Sequence, residues 1–230
     1  MENNITNLFK AINFMNKKTL IPTYDDFIFI EDGSFILQDA YKTYVFSFDI
    51  LKNQGNYFFY KSDLLNLKTK NAKYFIEDIR SGLLFIKIVT KDSEKFETIS
   101  LLKKSINIKD VIAKEFSYSN AFETNGINLK AILNGYKDNI TFKYNNDSVY
   151  VSMNENNLDI NFNEEFGELC TLSVLQSNEA IAQTVGQYIV DAIGQFGLVK
   201  KNAIIKISFN KTSFAITNNN LTIYILSNKL

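Results

Sequence analysis

Four short stretches with helical spacing interrupt a chain that otherwise alternates like β-strand. They begin near residues 5, 62, 128 and 186, so the intervals are 57, 66 and 58 residues. A run of strand-like sequence follows each one. Such a chain reads as one helix–strands unit used four times, and the longer middle interval marks a join between two halves of similar build.

The strand signal is a period of two. In "YVFSFDI", Phe46, Phe48 and Ile50 fall on one face and Val45, Ser47 and Asp49 on the other. The stretch "NITFKYNNDSVYVSMNENNLDINFN" predicts three short strands. Their inward sets are Ile140, Phe142 and Tyr144; Val149, Val151 and Met153; and Leu158, Ile160 and Phe162. The turns "NND" and "NENN" suit the left-handed backbone that asparagine tolerates. "AIIKISFNKTSFAITNNNLTIYILS" repeats the pattern near the C-terminus. "DDFIFIEDGSFILQ" and "SGLLFIKIVT" are more uniformly apolar, which predicts burial on both faces or pairing at an edge.

The first helix, "NITNLFKAINFMNKK", turns Ile5, Leu8, Phe9, Ile12 and Met15 inward and Thr6, Lys10, Asn13 and Lys17 outward. The second, "KSDLLNLKTKNAK", has Ser62 as its candidate N-cap and Leu64, Leu65 and Leu67 inward. Lys68, Lys70 and Lys73 lie in it or just after it. The third, "NLKAILNGYKDN", sets Leu129, Ile132, Leu133 and Tyr136 against a face of Lys130, Asn134 and Lys137. The fourth, "GQYIVDAIGQFG", turns Tyr188, Ile189, Ile193 and Phe196 inward, with Asp191 outward and Lys200 and Lys201 following. The outward faces of the first and third helices contain lysine and amide groups and no acid. An isolated face of that kind serves only to solvate a helix. The same face on two helices in matching halves also fits contact with something regular and negative.

Composition removes several functions. The chain has 230 residues, is 46% hydrophobic and contains no histidine and no tryptophan. Ser-His, Cys-His and histidine–metal chemistry are therefore out of reach. The acidic pairs Asp25–Asp26 and Glu164–Glu165 are adjacent, and neighbours on a strand point to opposite faces. No glycine-rich phosphate loop occurs. These features predict a protein that is not an enzyme and uses neither metal nor cofactor, although a carboxylate hydrolase needs only two converging acids. Net charge is zero, so any attraction to nucleic acid is local. Arg80 is the only arginine, and lysine suits contact with phosphates better than reading of bases. The single cysteine, Cys170, reads as a small buried residue in a reducing compartment. With no apolar run of membrane-span length and no signal-peptide pattern, the sequence predicts a cytoplasmic protein without membrane contact.

A helix–strands unit used four times in two domains resembles the DNA sliding clamps, above all the trimeric two-domain clamps of bacteriophages and the more distant proliferating cell nuclear antigen. The resemblance rests on "NLFKAINFM", "YFFYKSDLLNLKT", "INLKAILNGYKDNITFKYNNDSVYVSM" and "QYIVDAIGQFG…AIIKISFN…LTIYIL". It is a likeness of element order without an invariant motif. It implies an α+β fold of two similar clamp domains, each with two short helices on antiparallel sheets, over 1–100 and 117–230. "LLKKSINIKDVIAKEF", 101–116, would connect them. It also implies a homotrimeric ring around duplex DNA, tethering a replicative polymerase and loaded by a clamp loader. Lys10, Lys17, Lys68, Lys70, Lys73, Lys130, Lys137 and Lys200 would line its hole without sequence preference. Ile106, Ile108, Val111, Ile225 and Leu226 would hold partner peptides. The chain departs from the clamps at its start: clamps usually begin with a strand before the first helix, and here the helix pattern begins within five residues of Met1. The fourth helix departs too, with an aspartate and no lysine. The Asn-, Lys- and Ile-rich usage points to an AT-rich genome, as in many bacteria and their phages. The competing reading is an oligomeric structural β protein of a phage particle with no role on DNA.

Overall fold

The computed structural model describes residues 4–18, 26–38, 42–105, 107–109, 120–133, 139–145, 148–153, 158–161, 171–174, 180–185, 193–194, 196, 203–209 and 213–226. The side chains of 14–18, 120, 122, 128, 131–185 and 226 lie outside that description. The chain divides into two compact units, Met1–Ile112 and Ala113–Leu230. The division falls inside the stretch 101–116.

In the first unit, helix α1 (Thr6–Lys18) precedes strands β1 (Phe27–Glu31), β2 (Ser34–Gln38), β3 (Lys42–Ser47) and β4 (Tyr57–Tyr60). Helix α2 (Lys61–Asn66) leads into β5 (Lys73–Arg80), β6 (Leu83–Val89) and β7 (Glu94–Ser100), and a two-residue strand, β8 (Leu102–Lys103), closes the series. The strands form two antiparallel arrays, β3-β2-β1-β4-β8 and β5-β6-β7. Asn4 forms an isolated bridge to Phe75 on β5, and the Ile5 amide donates to the Tyr74 carbonyl at 2.8 Å. Among the described residues, Asn4 thus pairs β5 just before α1.

The second unit repeats this plan. It runs β9 (Asn120–Asn125), α3 (Gly126–Leu133), β10 (Asn139–Asn145), β11 (Ser148–Met153), β12 (Leu158–Asn161), β13 (Thr171–Val174) and β14 (Ala180–Val185). It ends with β15 (Ile204–Phe209), β16 (Ser213–Asn218) and β17 (Leu221–Leu226). Its arrays are β12-β11-β10-β14 and β13-β9-β15-β16-β17. The correspondence is one to one: β12-β11-β10-β14 matches β3-β2-β1-β4, and β9-β15-β16-β17 matches Asn4 with β5-β6-β7. The units differ in one added strand, β8 beside β4 in the first and β13 beside β9 in the second.

The predicted hairpins form in register. Ile140, Phe142 and Tyr144 stand opposite Met153, Val151 and Val149, and Val151 and Met153 stand opposite Ile160 and Leu158. Phe162 lies outside the described residues. β1 and β2 join through Asp32 (φ 41°) and Gly33 (φ 75°), the two positive-φ positions of the tight turn that matches strand twist. At Gly33 a Cβ would also lie 3.0 Å from the Lys52 side chain. Both uniformly apolar stretches become strands, but only β2 is buried on both faces, at Phe35, Ile36 and Leu37. β6 buries Leu84, Ile86 and Ile88 and leaves the alternate positions half-exposed. In "YVFSFDI" the strand stops at Ser47, and Ile50 sits in a 3-10 turn, Asp49–Leu51, because Leu51 turns in to be buried.

The helices differ from expectation mainly at their starts. α2 begins at Lys61, with Tyr60 at the N-cap and no side-chain cap; Ser62 is exposed within the first turn. α3 begins two residues before Asn128, because the Asn125 side chain accepts from the Ile127 amide at 2.9 Å and caps the helix there. Asn4 accepts from the Thr6 amide at 2.9 Å in the same way at the start of α1. Of the fourth helix only Ile193 and Gly194, in helical conformation, and Phe196 are described; Ile193 and Phe196 are buried. Among the described residues no helix is long and apolar enough to cross a membrane.

The core of the first unit includes Ile5 just before α1, Leu8 and Ile12 of α1, Ile28, Ile30 and Phe59, and Leu84, Ile86 and Ile88. Truncating Ile12 to alanine leaves a cavity that neighbours fill only in part. Ile12→Ala is expected to lower stability by about 2–5 kcal/mol, read from the urea midpoint at constant slope.

Candidate nucleic-acid interface

The candidate lysines of the first unit lie on α1, in the loop after α2 and at the start of β5. α1 buries Leu8, Phe9, Ala11 and Ile12, which leaves Lys10 exposed on the opposite side and Asn13 partly so. Neither α1 nor α3 contains an acidic residue. α2 has one, the partly exposed Asp63. Lys68 follows α2, and its ammonium donates to Asn13 Oδ1 at 3.4 Å, so the polar sides of α1 and the α2 exit meet. Lys70 is exposed in the same loop, and Lys73 is exposed at the start of β5 rather than on the helix.

Tyr74 sets the position of that loop. Its ring stacks on Phe9 with centroids 4.0 Å apart. Its hydroxyl accepts from the Thr69 amide at 2.6 Å and donates to the Thr69 carbonyl at 3.2 Å. Thr69 lies between Lys68 and Lys70, so one buried tyrosine fixes both α1 and the lysine loop to β5. The sequence reading passed over Tyr74, because its spacing on β5 marks only a core position. A tyrosine at a core position is itself the available signal, since a buried phenol needs hydrogen-bond partners.

The remaining candidates are placed as follows. Lys17 lies on α1, with its side chain outside the description, and Lys137 and Lys200 lie outside the described residues. Lys130 is half-buried on α3, one position after the fully buried Leu129. Of the residues read as peptide-binding, Ile106 and Val111 lie outside the described residues. Ile108 is half-buried, and its amide donates to Glu31 Oε2 at 2.8 Å. Ile225 is fully buried on β17, in the core of the second unit, where it has no surface to offer a peptide. The strand alternation that exposes one residue buries the next. The Leu226 side chain is not described. Among the described residues no three His, Cys, Asp or Glu side chains converge as a metal site requires.

The fold has close counterparts among solved structures. One is the PCNA2–PCNA3 complex of Sulfolobus tokodaii, with a TM-score of 0.60 at 15% identity over 98% of this chain and 97% of that one. The chain has a sliding-clamp fold. PCNA of Thermococcus kodakaraensis aligns with a TM-score of 0.57 at 10% identity, covering 96% of this chain and 95% of that chain. The β chain of DNA polymerase III from Streptococcus pneumoniae aligns at 0.58 and 12% identity, over 99% of this chain but 64% of its own length. The two-unit chain therefore spans the length of the PCNA chains and about two thirds of the bacterial one. No protein-family model matches the sequence, and no curated protein matches it.

Exposed lysines contribute little to folding. Alanine at Lys68 or Lys70 is expected to change stability by less than about 0.5 kcal/mol. Tyr74→Phe, which removes both bonds to Thr69, is expected to lower it by about 1–2 kcal/mol. Urea titration of the three variants checks both values.

Proposed function

We propose that the protein is a DNA polymerase processivity factor: a homotrimeric sliding clamp that encircles duplex DNA and tethers a replicative polymerase. In this reading 1–100 and 117–230 are the clamp domains and 101–116 connects them. The supporting observation is the acid-free outer side of α1, with exposed Lys10 and with Lys68 joined to it through Asn13, in a chain of sliding-clamp fold. Lys17, Lys70, Lys73, Lys130, Lys137 and Lys200 complete the proposed lining. Ile106, Ile108, Val111 and Leu226 contribute to partner binding. A clamp loader would open the ring, and no catalytic chemistry, metal or cofactor is assigned.

The physical requirement is specific. A protein that holds a duplex yet slides along it must avoid base contacts, since each one pins the register. Mobile positive groups facing phosphates supply the attraction, and a closed ring supplies the tether. Lysine meets this better than arginine, whose planar fork makes directed two-point contacts.

The native mass tests the ring: three copies of the 26.4 kDa chain are expected. Retention on DNA tests the link. The loaded protein is expected to stay on a closed circle at a salt concentration that strips it from the same DNA made linear. Equal loss from both forms would instead fit a structural protein of a phage particle. Replacing Lys10 and Lys68 together by glutamate should abolish retention on the circle and leave the trimer intact.

A further inference from the structure

Glu31 is the one acid among the described residues that the structure buries almost completely, with 1% of its surface exposed. It ends β1, immediately before the Asp32–Gly33 turn. Its carboxylate receives three hydrogen bonds, all from one segment of chain. The Lys104 ammonium donates to Oε2 at 2.6 Å, the Ile108 amide to Oε2 at 2.8 Å and the Lys109 amide to Oε1 at 2.8 Å. Lys104 is equally enclosed, with side-chain exposure of 6% against 2% for Glu31. Outside the carboxylate, the Lys109 ammonium donates to the Asp32 carbonyl at 2.7 Å and to Asp32 Oδ2 at 3.1 Å. The Lys104 amide donates to the Asn56 carbonyl at 3.1 Å.

We propose that Glu31 is a clasp that decides whether the segment carrying Lys104, Ile108 and Lys109 lies as a strap along the β1–β2 hairpin or swings free of it. Two features argue for a clasp rather than a general core contact. The hairpin does not need the strap: β1 and β2 pair through Phe29–Ile36, Ile30–Phe35 and Glu31–Ser34, and β2 pairs β3 along its length. On the strap's side, three bonds converge on that one carboxylate, two of them from backbone amides, while the Lys109–Asp32 contact is exposed. A buried carboxylate with three donors is strong while all remain, and removing it strands a buried ammonium and two amides at once.

The strap also edges an apolar surface. The Lys104 ammonium rests 4.8 Å from the Phe29 ring centroid. Phe29 belongs to a row of half-exposed rings on that face with Phe27 and Phe58, and Tyr60 at its end is 46% exposed. Opening the clasp lifts Lys104 from Phe29 and lengthens this aromatic surface. The clasp thus links the path of the connector to the area of exposed rings. It needs only residues of the first unit and stands whether or not the protein encircles DNA.

Amide hydrogen exchange on the full chain tests the proposal. In the unaltered protein the Ile108 and Lys109 amides are expected to be protected. In Glu31→Gln, which keeps the shape and removes the charge, both should exchange at least about tenfold faster. The Phe35 and Ile36 amides of the hairpin should keep their rates. Tryptic cleavage after Lys104 and Lys109 should accelerate in step. Should Glu31→Gln fail to fold, Glu31→Asp is measured instead; it keeps the charge but withdraws it by one methylene, and the same local acceleration is expected. Unchanged exchange at Ile108 and Lys109 would overturn the proposal. So would a proportional acceleration through the hairpin, which would make Glu31 a plain core contact.

Discussion

The seat of α1 on β5 is the contact on which the rest of the first unit depends. A three-stranded array has one apolar face to bury, and Tyr74, Ile76, Leu84, Ile86 and Ile88 supply it here. α1 covers that face with Leu8, Phe9 and Ile12. Tyr74 makes the fit directional: its ring meets Phe9 while its hydroxyl reaches past the helix to Thr69. A phenylalanine would fill the same volume and leave the loop unattached. Because the apolar side of α1 is fixed inward, Lys10 has only the outside left, and Lys68 is joined to the helix through Asn13. The charged surface is thus a consequence of how the apolar one is buried.

Much of this was legible from periodicity. Alternation located the hairpins at 139–161 and 204–226, since a one-residue slip would turn every apolar side chain to water. The apolar stripe of α1 was equally clear. Less legible were features set by a single side chain. Asn125 moves the start of α3 by two residues through one capping bond, which no period records. Leu51 ends β3 early because a 3-10 turn buries it better than a continued strand would. Ile225 stands among the residues that the clamp resemblance gives to partner peptides, and on β17 it is fully buried. The Glu31 clasp was beyond reach altogether: Glu31 and Lys104 are 73 residues apart, and nothing in either neighbourhood marks them as partners.

The spacing of the helices indicated a repeat, and the topology of the two units gives it content. Each unit has four matched strands, β3-β2-β1-β4 in the first and β12-β11-β10-β14 in the second, and a second array that includes the residue or strand leading into the first helix. Asn4 and β9 hold the same place, and Asn4 and Asn125 cap the following helices by the same bond. Asn4 thus both pairs the sheet and caps the helix that follows. The units then diverge at their margins, where β8 extends one array and β13 the other.

The same economy bears on charge. A chain with equal numbers of acids and bases has no global field to offer a polyanion. What it can offer is segregation, with acids kept off chosen helix faces while lysines remain there. Acids elsewhere take up structural work: Glu31 holds the strap, and Asp49 and Glu94 pair with Lys52 and Lys87 at 2.6 and 2.8 Å. α1 carries no acid of its own. If attraction to DNA is local, its strength must come from which charges the sequence of each helix keeps apart, and α1 and α3 both carry lysine without acid.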